Sequence, residues 1–296
     1  MGEVGQMTVA EYVLAVEGLA MARHILTRPD VMAERAREVA GIVAAADTEL
    51  LASRIAVSSY AVEDGYTLWA PRYDTMANAL IDAEAPIVEE RMGSIPPGIA
   101  LDAACGTGRH AALLDRLGWK VIGVDVTPAM LERARTKVPS GEFHLGRLEG
   151  LPIGDGSVDL VVCALALTHI EDLAPVFAEF ARVLRPAGRL ITTDLHPFMT
   201  ETGLMAGFPT EDPDPSRPVP TAIHYVPNVT HHAGEYVRAI VDAGLVVTGC
   251  LEPSLASERL TMFPTWSTLP DATRQAYAGL PFLLIWDATK PGQPAA

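Results

Sequence analysis

Leu101-Asp-Ala-Ala-Cys-Gly-Thr-Gly-Arg109 joins a short apolar strand to a helix through a turn of small residues. The strand, Ile99–Asp102, ends in an acidic side chain, and helical spacing of apolar residues follows from about residue 109 to 117. Gly106 and Gly108 allow the backbone of the turn to approach a ligand closely, where a Cβ atom would collide. The stretch therefore predicts a ligand-binding turn at the carboxyl end of a strand.

Strands and helices alternate on the carboxyl side of this turn. Residues 158–165 are apolar at nearly every position, which is typical of a strand buried on both faces of a sheet. The alternation predicts a doubly wound, Rossmann-like α/β fold, in which a mostly parallel seven-stranded sheet carries helices on both faces. The later strands are predicted at 121–125, 142–145, 158–165, 189–193, 222–226, 245–251 and 281–288, and the helices at 128–137, 173–184 and 234–243.

Residues 1–62 are predicted to form a helical annex that serves as a lid or as a dimerisation surface. Thr8 and Glu11 fit a capping box at the start of a first helix, Thr27-Arg-Pro-Asp30 separates it from a second, and a third is predicted from about 47 to 58. Residues 63–290 are predicted to be the main domain. Within it, crowded prolines at 207–220 predict a loop, part of a substrate-loop insertion at about 199–222, and 291–296 is a tail.

Charge and composition disfavour several classes of protein. The chain has 22 basic and 37 acidic residues, a net charge of −15, which argues against binding to nucleic acid or to an anionic membrane surface. Its three cysteines are far apart and predict reduced thiols. No basic leader and no long apolar window are present, so a cytoplasmic location is expected. The histidines lack tight ligand spacing, so no metal is predicted.

Asp125 points to the kind of cofactor that the turn binds. It ends the second strand, where a carboxylate accepts the hydroxyl protons of a ribose. A complete dinucleotide fingerprint would place glycine at position 111, which is Ala111, and Asp102 at the start of the turn repels a pyrophosphate but suits an ammonium group. This combination favours S-adenosylmethionine (SAM) over NAD.

The same residues resemble those of a known family. The chain resembles the class I SAM-dependent methyltransferases, in the small-molecule branch near the UbiE-like and methyltransferase-type-11 groups, over about residues 65–290. The most similar segments are Leu101–Gly108, Val121–Asp125, the Thr127–Leu131 segment, Gly150–Val162 and Leu184–Leu190. The resemblance implies a cofactor site formed by Tyr66, Tyr73, Asp102, Ala104, Gly106, Gly108, Asp125, Val126, Met130, Arg147, Leu148 and Ala164.

Two positions depart from the family pattern. Arg147 stands where the family has an acid that contacts the adenine amino group, so Arg147 is expected to stack on adenine while the backbone near Leu148 reads its edge. Ala104 replaces the first glycine of the motif. Upstream, Tyr66 and Tyr73 resemble the segment that folds over the methionine end of SAM, although a packed aromatic cluster is an equally good interpretation of this pair.

Methyl transfer needs a general base only when the nucleophile must lose a proton. His169 and His196 follow the fourth and fifth predicted strands and are candidates for that role, although a structural role is open for both. His224, His231 and Phe208 are predicted to contact the substrate. The chain is therefore interpreted as a methyltransferase acting on oxygen or carbon of a small organic molecule, such as a bacterial secondary metabolite or a quinone-like precursor. A SAM-binding cyclase and a non-catalytic assembly protein remain alternatives, and a homodimer through the N-terminal helices is possible.

Overall fold

The computed structural model describes residues 4–208 and 220–292. Its N-terminal part begins with a short strand, and Thr8 and Glu11 form the predicted capping box at the start of the first helix. The elements are β1 (Val4–Thr8), α1 (Val9–His24), α2 (Pro29–Ala44), α3 (Glu49–Ala52), β2 (Arg54–Ser59), α4 (Val62–Trp69) and α5 (Ala79–Gly93).

The α/β core follows the predicted alternation to within a few residues at each boundary. Its first half consists of β3 (Ile99–Ala103), α6 (Arg109–Arg116), β4 (Lys120–Asp125), α7 (Pro128–Lys137), β5 (Glu142–Leu145), β6 (Val158–Ala164) and α8 (Leu173–Val183). Its second half consists of β7 (Leu184–Leu195), α9 (Pro197–Glu201), β8 (Ala206–Phe208), β9 (Ala222–Val226), α10 (Ala233–Asp242), β10 (Val246–Leu251), α11 (Pro270–Tyr277) and β11 (Leu283–Thr289).

The main sheet has seven strands in the order β10-β11-β7-β6-β3-β4-β5. Only β11 runs antiparallel to its neighbours. Apolar side chains cover both faces, with Phe177 and Phe180 of α8 on one side and Leu114 and Trp119 on the other. The strand order reverses direction beside β3, so ligands are expected at the carboxyl ends of β3, β4 and β6. The predicted fold class is confirmed.

A second sheet joins the N-terminal part of the chain to residues after β7. Its order is β1-β2-β9-β8, with β2 and β9 parallel. The predicted third helix at 47–58 is therefore wrong beyond α3. In β2 the β-branched residues Ile55 and Val57 alternate with smaller ones, and Ile55 is completely buried against α1, so strand pairing and burial prevail over the weak helical pattern.

The predicted strand at 222–226 is present as β9, but in the second sheet. Much of the predicted insertion at about 199–222 consists of α9, β8 and connecting turns, and its proline-rich residues 209–219 lie outside the described part of the chain. The division at residue 62 stays a prediction. Over 4–208 and 220–292, no helix combines the length and apolar character needed to span a bilayer.

Candidate functional site

A cavity of about 680 Å³ opens at the carboxyl ends of β3, β4 and β6 and is covered on one side by α4. It lies where the reversal of strand order predicts a ligand site, and its volume is in the range of small-molecule pockets. The sequence-predicted residues that line it are Tyr66, Tyr73, Ala104, Gly106, Asp125, Val126, Met130, Arg147, Leu148, Ala164 and His169.

Asp125 is held at the end of β4 by two backbone amides. The amide of Gly106 donates to Oδ2 and that of Thr127 donates to Oδ1, each over 2.8 Å. Burial raises the pKa of Asp125, while these amide bonds oppose the shift. Each carboxylate oxygen still has a lone pair available, so the group can accept hydrogen bonds from ribose hydroxyls.

The glycine-bearing turn is built on left-handed backbone. Gly106 lies at φ +53° beside the cavity. Gly108 lies at φ +81° and caps α6, and a Cβ atom there would be 3.0 Å from Cα of Ala134 in α7. Gly106 thus gives access to the ligand, whereas Gly108 permits close packing of two helices.

Asp102 stabilises the turn from behind the cavity. Its Oδ2 accepts a 2.7 Å hydrogen bond from the amide of Ala111 in the first turn of α6. Burial raises the pKa of this carboxyl to about 6. Within the described chain, neither Asp102 nor Gly108 lines the cavity, so their contact with the cofactor remains a prediction.

Two non-glycine residues of the cavity wall have positive φ angles. Ala104 lies at φ +59° and Leu165 at φ +54°. Ala104 occupies the position where the resembling family has glycine, and an L-residue in this region costs about 1–2 kcal/mol. Strained backbone of this kind concentrates at ligand sites.

The predicted adenine-contacting residues also line the cavity. Met130 and Leu148 are buried, and Arg147 is largely exposed at the mouth. The Arg147 guanidinium forms an ion pair with Glu63 of α4, and both residues line the cavity. Arg147 thereby links α4 to the segment after β5, while its predicted stacking on adenine remains untested.

Tyr66 and His169 meet in the wall of the cavity. The Tyr66 hydroxyl is 2.8 Å from Nε2 of His169, and Nδ1 of His169 is 3.1 Å from the carbonyl oxygen of Pro227. Burial lowers the pKa of His169 and raises that of Tyr66 well above its ordinary value. Both groups are therefore neutral at pH 7.

Tyr73 fits both interpretations of the upstream aromatic pair. It lines the cavity, and its ring packs edge-on against Trp69 with centroids 4.9 Å apart. Trp69 in turn stacks on Phe208 at 4.8 Å. Tyr73 therefore belongs both to the aromatic cluster and to the wall of the cavity.

The remaining predicted catalytic and substrate residues do not line this cavity in the described part of the chain. His196 caps α9, accepting from the amide of Phe198, and its Nε2 is 3.3 Å from Glu252. His231 is bonded to the carbonyl of Ile170, and His224 to the hydroxyl of Tyr60. Phe208 is 2% exposed within the aromatic cluster. Position after a strand did not distinguish His196 from His169, because a helix begins immediately after His196 and its ring accepts a hydrogen bond from the first turn of that helix.

Sequence reasoning also missed buried acids beside the site. Glu84 of α5 is completely buried and bonded to Arg109, His110 and Thr193. Asp194, near the end of β7, accepts hydrogen bonds from the hydroxyl of Tyr236 and the amide of Leu195. The position of Asp194 near a strand end was a usable signal, whereas nothing local distinguishes Glu84 from the exposed acids of its helix.

Acidic side chains dominate the ionisable lining of the cavity. They are Glu63, Asp64, Asp125, Glu149, Glu171 and Asp172, set against Arg147. Such a lining favours a cationic ligand. Among the residues that the structure describes, no group of three or more histidine, cysteine or acidic side chains is arranged to hold a metal ion.

Comparison with known proteins agrees with this geometry. Residues 101–192 match the family model described as a methyltransferase domain. Malonyl-[acyl-carrier protein] O-methyltransferase of Yersinia pestis is 33% identical over 140 residues, covering 47% of this chain and 52% of the relative. Demethylmenaquinone methyltransferase of Chlorobaculum parvum is 45% identical over 89 residues, covering 30% and 37%. The chain spans about half or less of the length of these curated relatives.

The solved structure of a SAM-dependent methyltransferase from Mesorhizobium loti shares the fold, with a TM-score of 0.51 and 21% identity over 70% of this chain and 98% of that chain. The chain therefore contains a class I SAM-dependent methyltransferase domain, and SAM is its cofactor. The predicted resemblance and cofactor are confirmed, and the cavity fits SAM: Asp125 stands beside the glycine turn, and the lining suits a cation.

Proposed function

We propose that the whole chain is an enzyme that moves the methyl group of SAM to oxygen or carbon of a small organic molecule. The observation that carries the proposal is the cavity itself, which places Asp125 and the glycine turn near one part of its wall and the Tyr66–His169 pair near another. SAM supplies an electrophilic methyl group and a neutral leaving group. The chain positions both reactants and excludes water.

The acceptor that this cavity favours is uncharged or cationic, because the acidic lining opposes phosphorylated and carboxylated compounds. A quinone-like precursor or another neutral secondary metabolite fits this requirement. The demethylmenaquinone methyltransferase relative supports a quinone-like acceptor by its name. A cytoplasmic location and a homodimer through the N-terminal helices belong to the same proposal.

Calorimetric titration with SAM tests the cofactor site. Asp125→Ala removes the acceptor of the ribose hydroxyls, and because hydrogen bonds to charged groups contribute about 1.5–3 kcal/mol, we expect affinity to fall at least about tenfold. The exposed Asp242→Ala serves as a control with unchanged affinity. No binding by the wild type, or equal binding by Asp125→Ala, would contradict the proposal.

Product analysis tests the transfer itself. Incubation with SAM and a panel of hydroquinones and phenols is expected to release S-adenosylhomocysteine in an amount equal to the methylated product. Conversion of an acceptor without that release would instead support a cyclase. Binding of SAM with no conversion of any acceptor under the same conditions would favour the assembly protein.

A further inference from the structure

The contacts of His169 define which of its ring nitrogens carries the proton. The carbonyl oxygen of Pro227 can only accept a hydrogen bond, so Nδ1 at 3.1 Å must be the donor. In the neutral ring Nε2 then carries a lone pair, and the hydroxyl of Tyr66 donates to it over 2.8 Å. The phenolic oxygen of Tyr66 keeps its own lone pairs for a further donor from the cavity.

The turn that carries His169 is fixed by several contacts with the segment after β9. The amide of Val229 donates to the carbonyl of Thr168 over 2.7 Å, and the hydroxyl of Thr168 donates to the carbonyl of Val229 over 3.3 Å. Nε2 of His231 lies 2.7 Å from the carbonyl of Ile170. The imidazole is thus held in one orientation before any ligand arrives, as catalytic groups require.

We propose that Tyr66 and His169 act as a proton relay that accepts the proton of a neutral acceptor bearing a phenolic or enolic hydroxyl. This inference rests on the proposed methyl transfer and deepens it by naming the acceptor class. Phenols and enols fit because their hydroxyl groups are more acidic than those of aliphatic alcohols, so a neutral imidazole can take up their proton as the oxygen attacks the methyl group.

The proposed step conserves atoms and charge. The acceptor hydroxyl gives its proton to Oη of Tyr66 while Tyr66 gives its own proton to Nε2 of His169. The acceptor oxygen forms a bond to the methyl carbon, and the C–S bond of SAM breaks with its electron pair left on sulfur. The positive charge that began on sulfur ends on the imidazolium of His169, which retains its Nδ1–H bond to Pro227.

Few charges act on the relay from the surrounding elements. The ionisation of Tyr66 is disfavoured electrostatically by Tyr73 after α4, Asp125 on β4 and Asp194 on β7. The proton therefore passes through Tyr66 without formation of a free tyrosinate. His169 responds to burial and to the Pro227 carbonyl. Glu171 and Asp172 follow on its own turn and line the mouth of the cavity.

Nuclear magnetic resonance of histidine-labelled protein tests the relay without turnover. Long-range proton–nitrogen spectra are expected to show His169 with Nδ1 protonated and Nε2 unprotonated above pH 6.5, with the signals assigned through His169→Gln. Tyr66→Phe removes the donor to Nε2, so we expect the pKa of His169 to rise. A ring protonated on Nε2, or a pKa that Tyr66→Phe leaves unchanged, would overturn the relay even if SAM binds.

Kinetics with a hydroquinone acceptor test the catalytic part. Tyr66→Phe and His169→Gln are each expected to lower kcat about 100-fold at saturating SAM, the low end for proton-transfer catalysis. The wild-type kcat should fall as pH drops through the lowered pKa of His169, and this inflection should disappear in His169→Gln. His144→Gln on β5, paired with Glu142, is the control with unchanged kcat. A kcat within about threefold of wild type in either relay variant, or an inflection retained in His169→Gln, would overturn it.

Discussion

Three carboxyl groups near the cavity are similarly buried, but their pKa values differ. Burial opposes ionisation of Glu84, but His110 and Arg109, with the hydroxyl of Thr193, together lower its pKa to about 2. Burial prevails at the other two carboxyls: it raises the pKa of Asp102 to about 6, although His110 and Arg109 oppose the shift, and that of Asp194 to about 7. The first carboxylate stabilises the fold at neutral pH, whereas the other two stabilise it only while they are protonated.

Asp194→Asn is expected to reduce the loss of stability between pH 5.5 and 8. The folded pKa of Asp194, about 7, is above the ordinary value of 3.8, so its contribution is complete below pH 3.8 and is lost as the pH rises through 7. At 1.36 kcal/mol per pH unit this amounts to roughly 2 kcal/mol over that interval. Urea denaturation at the two pH values measures it. The exposed Asp242→Asn variant should keep the wild-type pH dependence of stability. If the Asp194→Asn protein keeps it too, Asp194 is not the group responsible for the loss of stability.

At the scale of elements, α4 depends on one close contact with the second sheet. A Cβ atom on Gly65 would lie 2.5 Å from Cγ2 of Val226 on β9 and 3.3 Å from Cβ of Tyr60. The helix that carries Glu63 and Tyr66 over the cavity therefore packs directly against β9 at Gly65, where there is room for a hydrogen atom but not for a Cβ atom.

Gly65→Ala is expected to destabilise the protein by about 1–3 kcal/mol, because the added methyl group overpacks this contact. Because the added methyl group would displace α4 from β9, SAM binding should also weaken. Gly41→Ala is the matched control: Gly41 lies inside α2 with nothing near its absent Cβ, so alanine there should stabilise by up to about 1 kcal/mol through helix propensity. Thermal denaturation and SAM titration of both variants check this, and a Gly65→Ala protein that gains stability like its control would refute the packing argument.

Local sequence signals were sufficient for the α/β core and insufficient for the second sheet. Neighbours in sequence determine the turn after β3, the end of β4 and the helix at 128–137. Asp125 and Gly106, which were predicted from that local pattern, line the cavity. β2 acquires its structure from β9, a partner far along the chain, and no local pattern reveals that pairing. The same holds for His169, whose partners Tyr66 and Pro227 come from distant segments.

At the scale of the molecule, the second sheet connects the N-terminal helices to the methyltransferase domain. Ile55 in β2 is completely buried, and Ala272 and Ala276 of α11 pack against α1. These contacts favour one cooperative unit over a detachable annex.

Ile55→Ala is expected to lower the stability of the whole chain by about 2–4 kcal/mol, because it leaves a cavity between β2 and α1. Unfolding should remain a single calorimetric transition whose van't Hoff and calorimetric enthalpies agree. Leu26→Ala, at a position 91% exposed, is the control without a shift in Tm. A separate early transition in Ile55→Ala would show that the annex unfolds independently.

The parallel pairing of β2 with β9 also sets an order of events during synthesis. Ala56 is the register partner of Ala222, and more than half of the chain separates them. At about 5–20 residues per second, β2 leaves the ribosome roughly 10–30 s before its partner exists. During that interval the unpaired backbone edge of β2 is open to strands of other nascent chains. The segments that form the SAM site are already being synthesised in the same interval. The second sheet, on which α4 packs, is thus completed only after β3 to β7 have been synthesised and before β10 and β11 follow.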